Sequence, residues 1–146
     1  MDYNGVEILF AEDSEDDALL TLRAFKKSGF LNKVYHVEDG AEALDFIFRK
    51  GKYATRNPGE NPKLILIDLK MPKVTGTEVL EKLKADPDFK SIPVVVLTSS
   101  NEDPDIKKCY ALGANSYIVK PVGSENFFNC IKELGLYWMI ISQPPV

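Results

Sequence analysis

A chain of 146 residues with 45% hydrophobic and 27% charged residues has the size and composition of one globular domain, expected to span 1–146. Its net charge of -4 argues against generic nucleic-acid binding, which draws on an excess of Lys and Arg. Two distant cysteines, Cys109 and Cys130, form neither a metal-ligand cluster nor a disulfide framework and read as reduced, partly buried thiols of a cytoplasmic protein; the start has no signal-peptide pattern, and the apolar stretch from Leu136 to Ile141 is far short of the roughly 20 residues that cross a membrane.

Taken in order, short apolar runs alternate with longer amphipathic segments. Val6 to Ala11 reads as a strand ending in Glu12-Asp13, and Ser14 followed by Glu15, Asp16 and Asp17 reads as a helix start with acids in its first turn. Leu19, Leu22 and Phe25 then recur at helical spacing, with Gly29 as the stop. Lys33 to Val37 is a second strand. Asp39 and Glu42 resemble a capping box; Leu44, Ile47 and Phe48 mark the buried face of that helix, and Gly51 its end. Residues 52–62 carry loop chemistry in Asn57-Pro58-Gly59 and Asn61-Pro62. Leu64 to Ile67 is apolar at every position, as a strand buried on both faces requires, and stops at Asp68. Thr75 and Glu78 cap a third helix carrying Val79, Leu80 and Leu83. Pro93 to Leu97 is another apolar strand, ending at Thr98. Asp103-Pro104 opens a fourth helix that Gly113 stops. Ser116 to Val119 is a fifth strand, followed by Lys120-Pro121, and a last helix from near Ser124 carries Phe127, Phe128, Ile131 and Leu134. Five βα units in succession predict an α/β fold, a doubly wound five-stranded parallel sheet with helices on both faces.

In such a sheet, ligands bind beyond the carboxyl ends of the strands. Those ends are Glu12-Asp13, Asp68, Thr98 and Lys120: carboxylates, a hydroxyl and an ammonium from segments spread along the chain. Hard oxygen donors without His or Cys suit Mg2+ rather than zinc, and clustered carboxylates need a metal or Lys120 to offset their repulsion. An Asp carboxylate can act as a nucleophile toward phosphorus, with cation, metal and hydroxyl stabilising the phosphoryl oxygens. Each residue also has a plainer explanation. Polar residues commonly finish strands, Tyr117 fits core packing, Lys70 fits a solvated side chain, and Glu15, Asp16 and Asp17 fit helix first-turn acids better than ligands. His36 reads as an ordinary strand residue.

The elements Glu12-Asp13, Asp68-Leu69-Lys70-Met71-Pro72 with Gly76, Thr98-Ser99-Ser100, and Gly113-Ala114 before Tyr117 and Lys120-Pro121 together resemble the receiver domain of two-component response regulators, from about Val6 to Leu134. The resemblance implies a flavodoxin-like receiver fold, a signalling role rather than an enzyme's, and a phosphoryl group taken by Asp68 from a phosphohistidine on a sensor histidine kinase. It implies that Glu12, Asp13, Asp68 and the backbone carbonyl of Lys70 hold Mg2+, with Mn2+ as an alternative. Lys120 would contact the phosphoryl group, aimed by a cis peptide between Lys120 and Pro121. Thr98 would close onto a phosphoryl oxygen, and Tyr117 would swing inward behind it as the switch.

Three other readings compete. A phosphatase of the haloacid-dehalogenase type carries a second Asp two residues after the first, where this chain has Lys70. A flavin carrier needs a phosphate loop after the first strand, where Glu12-Asp13 would repel phosphate. A scaffold that is never phosphorylated would have no use for the full acid set and Lys120. The loop at 52–62 and the Tyr137-Trp138 tail resemble response regulators associated with phytochrome-type kinases, which implies a bacterial phytochrome as the kinase. Residues 135–146 read as an interaction tail: continuing the last helix, they leave Tyr137, Met139 and Ile140 off the buried stripe, and a homodimer through the last helix and tail is expected. The 12 residues after Leu134 leave no room for an output domain, so the signal is expected to leave by protein contact, dimer change or onward phosphotransfer.

Overall fold

The computed structural model describes residues 5–27, 32–99 and 103–134. Each apolar run becomes a strand and each amphipathic segment a helix: β1 (Ile8–Ala11), α1 (Glu15–Lys27), β2 (Val34–Val37), α2 (Gly40–Phe48), β3 (Leu64–Asp68), α3 (Gly76–Ala85), β4 (Val94–Thr98), α4 (Asp103–Ala111), β5 (Ser116–Val119) and α5 (Ser124–Glu133). The five strands form one parallel sheet in the order β2-β1-β3-β4-β5. Interior strands β3 and β4 are buried at every position, which is why they are apolar up to their last residues, Asp68 and Thr98.

Strand alternation divides the interior into two cores. Leu9, Ala11, Ile65, Ile67, Val94 and Val96 pack with α2, α3 and Cys109 of α4. Their neighbours Ile8, Phe10, Leu64, Leu66, Val95 and Leu97 pack with α1 and α5, including Phe25, Phe127 and Ile131. Each Val, Leu, Ile or Phe side chain among them, fully buried, contributes about 1.5–3 kcal/mol of hydrophobic stabilisation. Cys109 and Cys130 are both free and buried. No described helix is long and apolar enough to cross a membrane.

The local chemistry explains most element ends. Thr75 and Glu78 form a reciprocal capping box at α3. The Ser14 hydroxyl accepts from the Asp17 N–H at the start of α1. Gly113 (φ +104) ends α4 in a Schellman turn, its N–H donating to the Tyr110 carbonyl and the Ala114 N–H to that of Cys109.

Three expectations are corrected. Leu19 does not lie on the buried face of α1: it is 55% exposed, and the helix packs through Ala18, Thr21, Ala24 and Phe25. Small Ala18 and Thr21 turn inward, so the packing face lies beside the row of large residues. The expected stop at Gly29 is outside the described residues. Helix α2 ends at Phe48, with Arg49 taking the left-handed conformation (φ +57), whereas Gly51 (φ +56) opens a short 3-10 turn, Gly51–Tyr53. Asp39 does cap α2, accepting from the Glu42 N–H at 2.7 Å, but the Glu42 carboxylate turns away from the cap to accept from the Tyr53 hydroxyl at 2.9 Å.

That hydrogen bond begins an anchored connection between α2 and β3. Tyr53 is fully buried, and its hydroxyl also meets that of Tyr35 at 3.0 Å. Arg56 is buried too; its guanidinium donates to the carbonyls of Phe46, Ile47 and Glu60 and lies 4.3 Å over the Phe46 ring. Side chains supply the partners that regular structure would otherwise give this stretch.

Candidate functional site

The parallel sheet brings the carboxyl ends of β1, β3, β4 and β5 to one edge. Glu12 and Asp13 follow β1, Asp68 ends β3, Thr98 ends β4 and Lys120 follows β5. The register holds these ends level: Ala11 pairs with Ile67, Asp68 with Leu97, and Thr98 with Val119. The Lys120 N–H donates to the Thr98 carbonyl at 2.7 Å, and the Lys120–Pro121 peptide is cis.

Behind Asp68 the chain turns sharply into α3. The Gly76 N–H donates to the Leu69 carbonyl, and a Cβ at Gly76 would overlap the Asp68 carbonyl oxygen, so only glycine permits the approach. Lys70 is exposed, and its backbone N–H lies 3.4 Å from Asp68 Oδ1.

One ammonium serves three carboxylates. Lys120 Nζ lies 2.6 Å from Glu12 Oε1, 2.9 Å from Asp17 Oδ2 and 3.2 Å from Asp68 Oδ2. Glu12 is fully buried, with Asp68 and Thr98 nearly so. Burial pushes the Glu12 carboxyl up to about 7; the hydrogen bond with Asp68 and its negative charge reinforce this, and Lys120 opposes it. Burial alone would lower Lys120, but its contacts with Glu12 and Asp17 and the negative charges of Asp68 and Glu12 outweigh that, leaving the ammonium raised. The two shifts pull against each other on Glu12. Burial is the largest influence and sets the upward direction, because one ammonium cannot fully offset two buried carboxylates and a third beside them.

Glu12, Asp13 and Asp68 can each offer a carboxylate oxygen within 4.8 Å of the others. Glu12 Oε1, despite its close approach to Lys120, has no aligned hydrogen bond. Three carboxylate oxygens gathered this closely, with no His or Cys in the group, fit a hard divalent cation.

Thr98 and Tyr117 face a narrow crevice lined also by Leu69, Val96, Asp105, Ile106 and Cys109. Tyr117 is partly buried and packs edge-to-face against Tyr110, ring centroids 5.8 Å apart.

Two residues at this edge escape a reading of the sequence. Asp17, taken there as a first-turn helix acid, is that and also an ion-pair partner of Lys120. The only hint is positional, since the first turn of α1 starts beside the strand ends. His36, taken as an ordinary strand residue, donates from Nε2 to the Glu12 carbonyl at 2.8 Å and packs its ring, tilted, against Phe10. With the Glu12 N–H bound to the Val37 carbonyl, the backbone of Glu12 is held at both its amide and its carbonyl. Tyr137, Trp138 and the interaction tail expected at 135–146 lie outside the described residues.

A family model for the response regulator receiver domain matches residues 8–132. The probable methanogenesis regulatory protein FilR2 of Methanothrix harundinacea is 37% identical, over 94% of this chain and 86% of its own length. Response regulator Rcp1 of Synechocystis is 36% identical, over 90% of this chain and 88% of its own length. The crystal structure of Rcp1 in its Mn2+-bound form is similar at a TM-score of 0.75 and 34% identity, covering 95% of this chain and 98% of that one. The bacteriophytochrome response regulator RtBRR is similar at a TM-score of 0.86 and 46% identity, covering 95% of this chain and 83% of that one.

Proposed function

The chain belongs to the response regulator receiver domain family, and from that premise we propose that Asp68 is the residue on which it accepts a phosphoryl group in a two-component phosphorelay. The observation that carries this reading is the position of the Asp68 carboxylate: at the carboxyl end of β3, within reach of Lys120 and clustered with Glu12 and Asp13.

In the proposed reaction a carboxylate oxygen of Asp68 forms a bond to phosphorus as the bond to the donor's leaving group breaks. The leaving group departs with that electron pair, and an acyl phosphate remains on Asp68. The donor is a phosphohistidine of a sensor histidine kinase. Glu12, Asp13, Asp68 and the backbone carbonyl of Lys70 would hold Mg2+, and the same oxygen set accommodates Mn2+. When bound, the cation offsets negative charge on the phosphoryl oxygens. Lys120, 3.2 Å from the Asp68 carboxylate, supplies a second positive charge. Thr98 reaches a phosphoryl oxygen through its hydroxyl, and Tyr117 follows it along the crevice between them, so these two side chains form the switch.

The resemblance to the bacteriophytochrome response regulator RtBRR supports a bacterial phytochrome as the cognate kinase. A homodimer through α5 and residues 135–146 is the proposed assembly. It is supported by exposed Tyr110 beside a groove that Asn126, Asn129 and Glu133 of α5 also line. Sedimentation of the full chain against a chain ending at Leu134 tests it: two monomers would refute the dimer.

Incubation with Mg2+ and acetyl phosphate, followed by intact-mass measurement, tests the phosphoacceptor. A phosphoryl adduct absent from Asp68→Asn is expected. An adduct that persists in Asp68→Asn, or none from acetyl phosphate and kinase alike, refutes the assignment.

A further inference from the structure

Lys120 has three ammonium hydrogens and three carboxylate neighbours, but those neighbours are not equivalent. Glu12 and Asp68 belong to the cluster that fits a divalent cation, and Asp17 does not. Asp17 reaches Lys120 from the first turn of α1, with 40% of its side chain exposed against 0% for Glu12 and 8% for Asp68. Its backbone N–H is bound by Ser14 Oγ, which steadies the turn that carries it. Glu12, Asp17 and Asp68 surround the one ammonium, and Asp13 adds a fourth carboxylate to the cluster, leaving three formal negative charges.

We propose that Asp17 is a positioning residue for Lys120: it gives the ammonium an anionic partner outside the cation-binding cluster, so that Glu12 and Asp68 can turn to a divalent cation. This rests on the phosphoacceptor reading of the same site and adds a residue to it. The argument is one of competition. A cation entering among Glu12, Asp13 and Asp68 must share two of its carboxylates with Lys120. With Asp17 present, the ammonium keeps a charged partner as it gives up the other two. Without Asp17, its remaining anionic partners among the described residues are the ones the cation needs, and lysine and cation compete for both. The helix-dipole role of Asp17 is separate, because Asp16 fills the same first turn one residue earlier and is exposed.

The test is a double-mutant cycle on the full chain, with Mg2+ binding followed by backbone amide NMR shifts in the absence of any phosphodonor. The same spectra report whether each variant is folded. Asp17→Asn is expected to raise the half-saturating Mg2+ concentration about three- to fivefold, the upper range of a partly exposed ion pair. Asp16→Asn is expected to shift it by less than about twofold, as a screened surface charge does. In a Lys120→Met background, Asp17→Asn is also expected to change it by less than about twofold, because no ammonium remains to be placed. An equal loss with and without Lys120 would overturn the proposal, since Asp17 would then act only as a bare charge. So would unchanged Mg2+ affinity in Asp17→Asn. A wild-type chain that binds no Mg2+ would instead overturn the reading of the whole site, which keeps the two failures distinct.

Discussion

Glu12 makes the stability of this fold depend on pH in a direction opposite to that of an ordinary ion-paired carboxylate. Its folded-state value, pushed up by burial and by Asp68, is about 7 against an ordinary 4.5. Between those values the folded chain keeps a proton on Glu12 that the unfolded chain has released, so stability falls as pH rises through that window. Converted at about 1.4 kcal/mol per pH unit, the gap sets an upper bound of about 3.5 kcal/mol. Lys120 does not contribute to this slope. Its raised value stabilises the fold fully below its unfolded value of 10.5, and that stabilisation is lost only at higher pH. Urea unfolding followed by circular dichroism, in EDTA and at steps from about pH 5 to about pH 8, measures the effect. Glu12→Gln removes the titrating group while keeping the side chain's shape, and should give the shallower decline by up to that bound. Parallel pH profiles for wild type and Glu12→Gln would refute the reasoning, because the slope would then belong to other groups.

Three further outcomes follow from named contacts. Mg2+ at one hundred times its dissociation constant should stabilise the wild-type chain by about 2.7 kcal/mol in thermal unfolding, and Asp13→Asn, which alters an exposed donor of the cluster, should lose about half of that or more at the same concentration. Arg56→Met should destabilise the fold by about 2–4 kcal/mol in urea and expose residues 50–62 to limited proteolysis, since the carbonyls of Phe46 and Ile47 lose buried partners; an unchanged midpoint would mean that water replaces the guanidinium. Gly40→Ala would drive its Cβ into the Val74 carbonyl, forcing α2 away from the loop that follows Asp68, and should cost about 2 kcal/mol or more; a loss under about 0.5 kcal/mol would show that the loop yields freely.

Much of this molecule is legible one segment at a time. The unbroken apolar runs at Leu64–Ile67 and Val94–Leu97 require strands covered on both faces, and Thr75 with Glu78 marks a helix start by side chains that bond their own backbone. These signals sit within a few residues of where they act. The phase of α1 is less legible, because Leu19 and Leu20 look like core residues while Ala18 and Thr21 are the ones buried. Hydrophobicity ranks Leu above Ala, whereas close packing beside a sheet favours the smaller side chain. The connection after α2 reads as loop from its Pro, Asn and Gly content. That Tyr53 and Arg56 are sunk into the core depends on Glu42, Tyr35 and Phe46 being in place to receive them.

By itself, the sequence determined the order of strands and helices, the parallel character of the sheet, and the polar residues that finish each strand. Periodicity and capping are written in neighbouring residues, and a βα repeat leaves few topologies open. Only the tertiary structure decided that β1 and β3 lie side by side at the centre, which brings Glu12 and Asp13 next to Asp68. It alone decided that Lys120 is shared with Asp17, 103 residues away, and that His36 holds the Glu12 backbone. The reason is physical. An ion pair across the sheet edge has no local signature, because neither partner's neighbours in the chain encode the distance between them. That distance is set by the register of strands whose pairing is driven by burial elsewhere.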